Sequence, residues 1–169
     1  RLGVGMDNID IIYAEKKNIN IYKTRTTPAL AVAELSLGMM LNLLRNISLH
    51  NSDLKKGIWS KKMGSLLTGK TLGIIGFGSI GKHLADITRS FHLKYLINDV
   101  KVSNNYAGLE NYKFCSLEKL FRDSDIISIH TNLTDKSKGL VNYNLLSKMK
   151  PSAHLINTSR GEVINEKDL

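Results

Sequence analysis

The sequence predicts an α/β chain organised around a doubly wound parallel sheet, and three observations carry that prediction. From residue 70 onward, short aliphatic runs alternate with amphipathic stretches of helical spacing. The first aliphatic run passes into the first amphipathic stretch through three glycines, Gly76, Gly78 and Gly81. The second run, LKYLIND, closes on Asp99, eighteen positions after Gly81.

Ahead of that region the chain reads differently. RLGVGMDNID, residues 1–10, is glycine-rich and turn-forming; residues 11–17 have helical spacing, and NINIYKT, 18–24, alternates like a strand. Pro28 stands where a helix can start, before an apolar segment over 29–56. Leu35, Leu37, Met39, Met40, Leu41, Leu43, Leu44 and Ile47 put apolar side chains almost all round that helix. One covering surface cannot satisfy such a girth. The expectation is a homodimer, with the 29–49 helix buried between the sheet and a second chain; burial inside a larger monomer is the alternative.

Within the alternating region, strands are expected at 71–76, 93–98, 112–115, 125–130 and 153–158, and helices at 80–91, 116–122 and 142–149. Continuous apolar runs such as 71–76 suit strands covered on both faces. Leu84, Ala85, Ile87, Thr88 and Phe91 recur at helical spacing between Lys82, His83, Asp86 and Arg89. Ser116 is placed to cap the second helix, and Pro151 follows the end of the third. Right-handed crossovers then give the strand order 3-2-1-4-5, with a crevice outside the carboxyl ends where strands one and four part. GFGSIG (76–81), HTNLT (130–134) and TSRGE (158–162) all reach that crevice.

Each glycine has its own task there. Gly76 permits a tight turn, Gly78 lets backbone approach a ligand, and Gly81 lets helix and strand pack closely. The N–H groups at the helix start, with the helix dipole, make a site for a pyrophosphate. An acidic residue about 20 positions on holds a ribose 2′-hydroxyl and repels a 2′-phosphate, so Asp99 points to NAD rather than NADP. Ordinary turn glycines and a strand-ending turn aspartate are the alternative reading of the same residues.

The 169 residues, 42% of them hydrophobic, suffice for one core. There is no run of eighteen apolar residues and no signal peptide, so neither a membrane span nor secretion is expected. The single cysteine, Cys115, ends the run YKFC and reads as a small buried hydrophobe, which fits a reducing, cytoplasmic setting. A net charge of +9 invites a nucleic-acid partner, but the lysines are scattered and not interleaved with aromatics, so none is expected. No metal-ligand spacing links His50, His83, His92, His130 and His154, and no metal is expected. His130 reaches the crevice with acid/base chemistry, yet strand-end histidines are often simply packed. Trp59 is expected to pack as an apolar anchor near the long helix.

Six segments carry a resemblance: RLGVGMDNID, AVAELSLGMMLNLLRN, GIWSKKMG, LTGKTLGIIGFGSIGK, HTNLTDKSKGLV and LLSKMKPSAHLINTSRGEVINEKDL. Together, in order from Arg1 to Leu169, they resemble the D-isomer-specific 2-hydroxyacid dehydrogenases, and within them the D-3-phosphoglycerate dehydrogenase branch, to which Lys61 and Lys62 are also similar. Asn132 departs from the family's usual proline, and Val100 stands where proline is common after the acidic residue. The resemblance implies an NAD-binding Rossmann domain over 29–169, incomplete at its end, preceded by the tail of a substrate domain over 1–28. It implies an internal piece of a longer protein.

In the family an arginine, a glutamate and a histidine act together. The arginine matches Arg160, whose fixed fork of donors suits a substrate carboxylate and a carbonyl developing negative charge. A surface ion-pairing role is the alternative for Arg160. The glutamate and histidine are implied beyond Leu169, and the family does not use His130 as its acid/base. The implied cofactor contacts are the three glycines, Ser79 and Ile80 at the pyrophosphate, Asp99 at the adenosine ribose, Thr131 near the crevice, and Thr158, Ser159 and Arg160 on the nicotinamide side. Val4 and Gly5 correspond to backbone facing substrate and nicotinamide. The implied reaction is hydride transfer between nicotinamide and C2 of a D-2-hydroxy acid, whether of the phosphoglycerate, glyoxylate/hydroxypyruvate or D-lactate type. A non-catalytic NAD-sensing protein, similar to corepressors of this fold, is the alternative.

Overall fold

Strand side chains divide between two cores, one on each face of a sheet. The computed structural model describes residues 5, 6, 8–24, 28–101 and 112–169; Val4 lies outside the described residues. The sheet strands are β1 (Thr71–Ile75), β2 (Lys94–Asn98), β3 (Tyr112–Phe114), β4 (Ile126–Ile129) and β5 (His154–Asn157). They run in the order β3-β2-β1-β4-β5 with every pairing parallel, as the alternating pattern predicts. Helices α1 (Ile11–Lys16), α2 (Ala29–Arg45), α3 (Ile47–Lys55), α4 (Ser79–Ile87), α5 (Leu117–Asp123) and α6 (Tyr143–Leu146) complete the described elements longer than a single 3-10 turn.

On one face, Leu72, Ile74, Tyr95, Ile97 and Ile126 pack under Met40 and Leu44 of α2 and Leu84 of α4. On the other, Ile75, Leu96, Ile127 and Ile129 pack under Leu120 and Phe121 of α5 and Leu145 of α6. Neighbouring residues in one strand therefore belong to different cores, which is why apolar residues follow one another in the strands without alternating with polar ones. Ser116 caps α5 by accepting from Lys119 N–H at 3.3 Å. Cys115 is half-buried against the second core, and burial pushes its thiol pKa up.

Four expectations are corrected. The 29–49 helix is two helices: Asn46 adopts a left-handed conformation (φ 54°), and α2 and α3 meet at a 63° bend. Asn42 makes the break affordable, because its Oδ1 accepts from both the N–H and the hydroxyl of Ser48 at 2.8 Å and caps the new helix. Residues 18–24 form no strand; they pair with no strand among the described residues, and Ile19 and Tyr22 are exposed. The helix expected at 142–149 covers Tyr143–Leu146 only. Trp59 is not an anchor: it is 88% exposed on the strap after α3, beside an open apolar cavity of about 260 Å³ lined in part by Leu54 and Ile58.

α2 turns Ala33, Ser36, Met40 and Leu44 inward and leaves Leu30, Leu35, Met39 and Leu43 exposed. Among the described residues no single helix is long and apolar enough to cross a membrane; α2 and α3 pass that test only as a bent pair.

Candidate functional site

The turn from β1 into α4 is shaped by what surrounds its glycines. Gly76 has φ +90°, and a Cβ there would lie 2.8 Å from the His130 carbonyl and from Thr131 N. The loop backbone thus rests directly on the end of β4. A Cβ on Gly81 would meet Gly76 O at 2.6 Å, so this glycine permits the close approach of α4 to β1. Gly78 is exposed, begins α4 without a side-chain cap, and has nothing within 4 Å of its Cβ position. Ser79 is exposed beside it and Ile80 is half-buried.

Asp99 closes the other side of this loop. Its Oδ2 accepts from Phe77 N–H at 2.6 Å and its Oδ1 from Lys101 N–H at 2.8 Å. A carboxylate inside the loop's turn therefore holds the glycine segment to the end of β2. The backbone joins the same pieces: Gly76 N–H donates to Asn98 O at 2.8 Å, and His130 N–H to Ile75 O at 2.7 Å.

At the ends of β4 and β5, side chains take over. Ser128 Oγ lies 2.9 Å from His130 Nε2, and Thr158 Oγ1 lies 3.3 Å from His130 Nδ1. Ser36 Oγ, on α2, lies 3.3 Å from Thr158 Oγ1. Burial pushes the His130 pKa down to about 4, so the ring is neutral at neutral pH. Beyond Thr158 the chain folds back on Asn157. Asn157 Oδ1 accepts from Ser159 N–H at 2.9 Å and from the Ser159 hydroxyl at 2.7 Å, while its Nδ2 donates to Arg160 O at 2.8 Å. Arg160, half-buried, donates from Nη1 to Ser159 O at 3.0 Å.

Residues 37–169 match the D-isomer specific 2-hydroxyacid dehydrogenase family, NAD binding domain. This chain belongs to that family. The hydroxypyruvate reductase of Thermotoga maritima is 39% identical over 171 residues, covering 100% of this chain and 55% of that protein. The D-3-phosphoglycerate dehydrogenase of Synechocystis sp. is 36% identical over 171 residues, covering 100% of this chain and 31% of that protein. A crystal structure of D-lactate dehydrogenase from Aquifex aeolicus, complexed with NAD and lactic acid, superposes with a TM-score of 0.87 at 31% identity, covering 99% of this chain and 52% of that one. The chain thus spans between about a third and about half of the length of these relatives.

The fold is that of an NAD-binding domain, and the residues present fit a dinucleotide on their own geometry. Open space over Gly78 at an uncapped start of a nine-residue helix suits a pyrophosphate, and a carboxylate lies beside that loop. Of the residues singled out in the sequence, Gly76, Gly78, Gly81, Asp99 and Thr131 gather around the loop. Thr158, joined to His130, leads into Ser159 and Arg160 on the neighbouring strand end. Gly5 is half-buried ahead of α1. Ser36, Ser128 and Asn157 were not singled out. Asn157 sits at the end of a strand run, where side-chain bonds two and three residues ahead are an ordinary asparagine habit and so a readable signal. Ser36 carries no such signal inside an apolar helix.

Proposed function

We propose that this chain supplies the nucleotide-binding part of an NAD-dependent oxidoreductase that moves hydride between nicotinamide and C2 of a D-2-hydroxy acid. The observation carrying this reading is that the Gly78 loop, the Asp99 carboxylate and the Thr158–Arg160 turn all stand at the carboxyl ends of the parallel strands β1, β2, β4 and β5, the edge at which such sheets take a nucleotide. The backbone at Gly76, Gly78, Ser79, Ile80 and Gly81 receives the pyrophosphate, Asp99 the adenosine ribose, and Thr131, Thr158 and Ser159 the nicotinamide side. Arg160 binds the substrate carboxylate and stabilises negative charge on the reacting oxygen. Val4 and Gly5 present backbone to substrate and nicotinamide, residues 1–28 belonging to a substrate domain. Bound nicotinamide supplies or accepts the hydride. His130 is not assigned the proton transfer: its Nε2 lies 2.9 Å from Ser128 Oγ and its Nδ1 3.3 Å from Thr158 Oγ1, so both ring nitrogens already have partners within the protein.

The preferred substrates are 3-phosphohydroxypyruvate, hydroxypyruvate, glyoxylate and pyruvate in the reducing direction. The exposed apolar stripe of Leu35, Met39 and Leu43 supports a homodimer through α2. The test is binding of NADH and NADPH, followed by NADH oxidation with each of the four keto acids by the protein extended to the length of its relatives. NADH binding with turnover of one of them is expected. NADH binding without any turnover would favour an NAD-sensing protein, and failure to bind NADH would overturn the reading altogether.

A further inference from the structure

Ser128, His130, Thr158 and Ser36 form one hydrogen-bonded line running from β4 through the end of β5 to α2. Its proton order follows from counting. Ser36 Oγ, fully buried, donates to Val32 O at 2.8 Å, because a carbonyl can only accept. A hydroxyl has one proton, so across the 3.3 Å contact it is Thr158 that donates to Ser36. The Thr158 proton is then spent, and the 3.3 Å contact with His130 must be filled by Nδ1–H donating to Thr158 Oγ1. A neutral ring protonated on Nδ1 has a bare Nε2, which accepts the hydroxyl proton of fully buried Ser128 at 2.9 Å.

We propose that His130 is a positioning residue: its Nδ1–H tautomer orients the Thr158 hydroxyl so that Thr158 turns an acceptor lone pair to the crevice and takes a hydrogen bond from a ligand hydroxyl there. A hydroxyl oxygen has two acceptor sites, and His130 occupies one of them. The Thr158 proton points away, toward α2. The site at Thr158 therefore favours a ligand group that donates, such as a ribose hydroxyl, over one that only accepts. The ligand half of this inference rests on the placement of the nicotinamide ribose proposed above; the proton order does not.

The test is the two-bond proton–nitrogen spectrum of protein labelled with ¹⁵N-histidine, without cofactor, with the His130 signals identified by their loss in His130→Gln. A neutral ring protonated on Nδ1 at pH 7 is expected. A proton on Nε2, or a doubly protonated ring, overturns the proposal. Ser36→Ala removes the acceptor for the Thr158 proton, freeing Thr158 to donate to Nδ1. The expected result is a shift of the His130 proton to Nε2; an unchanged tautomer overturns the coupling. Thr158→Ser keeps the hydroxyl and is expected to bind NADH within threefold of the unsubstituted protein, whereas Thr158→Val is expected to lose at least tenfold. Equal affinities for Thr158→Val and the unsubstituted protein overturn the ligand contact. If the unsubstituted protein binds no NADH, the functional reading fails together with the ligand contact, while the spectra still decide the proton order.

Discussion

Alanine placed in turn at Gly76, Gly78 and Gly81 meets three different surroundings. At Gly76 the new side chain must adopt φ near +90°, which costs about 1–2 kcal/mol for an L-residue. Its Cβ also meets His130 C and O and Thr131 N at 2.8 Å, all backbone that cannot swing aside, adding about 1–3 kcal/mol. Gly76→Ala should therefore lose about 2–5 kcal/mol, a large share of a domain's stability. At Gly81 the φ is ordinary, and the clash with Gly76 O at 2.6 Å is partly offset by roughly 1 kcal/mol of helix propensity. The net loss there should be about 1–2 kcal/mol. Gly78 has φ −76° and open space but stands at the N-cap of α4, where glycine is preferred to alanine, so Gly78→Ala should cost no more than about 1 kcal/mol. That same space is where the dinucleotide backbone must come close, and the methyl group should raise the Kd for NADH at least tenfold. Urea unfolding followed by circular dichroism measures the stabilities, and NADH fluorescence measures binding. The reasoning is refuted if Gly78→Ala is as unstable as Gly81→Ala, or if it binds NADH as tightly as the unsubstituted protein.

Asp99→Asn keeps an oxygen for Phe77 N–H but drops the charge, so NADPH should gain on NADH with the fold intact; Asp99→Ala loses the loop brace as well and should weaken both nucleotides by about tenfold. Competitive titration of the two nucleotides checks this, and tight NADPH binding by the unsubstituted protein would refute the role of the charge. Stability should also depend on His130: its folded pKa of about 4 lies below the ordinary 6.5, so its contribution is complete above pH 6.5 and falls by about 3 kcal/mol as the pH drops toward 4. Denaturation midpoints between pH 4 and 8 measure the loss, and His130→Gln should flatten that part of the curve. Met39→Glu and Leu43→Glu, on the exposed stripe of α2, should give folded monomers by light scattering, and an unsubstituted protein already monomeric at micromolar concentration would refute the dimer.

The sheet was legible because burial on both faces leaves a mark that needs only local sequence: apolar residues follow one another without alternation at Ile74 and Ile75, Tyr95 to Ile97, and Ile126 and Ile127, and the order of all five strands follows from crossover handedness. The bend at Asn46 was not. One polar residue in an apolar helix costs little propensity, and the Asn42 to Ser48 cap that favours the break spans six positions with no apolar pattern. Residues 18–24 alternate like a strand, but alternation stabilises nothing unless an edge is there to pair with. At the site, the tasks of Gly76 and Gly81 were readable because backbone crowding selects glycine at fixed offsets from a strand end. The line from Ser128 to Ser36 was not, because two of its three contacts join residues 28 and 122 positions apart, and a serine among leucines carries no directional signal.

The contact between Ser36 and Thr158 spans 122 positions, and that span sets an order of assembly. A ribosome adding ~5–20 residues per second leaves the Ser36 stretch of α2 waiting about 6–24 s for its partner. α4 is made in that interval and covers part of α2, but β5, against which α2 also packs, is made later. Through this time the inward serine of α2 is without its Thr158 neighbour. Until β5 docks, the end of β4 at His130 is without its Thr158 partner.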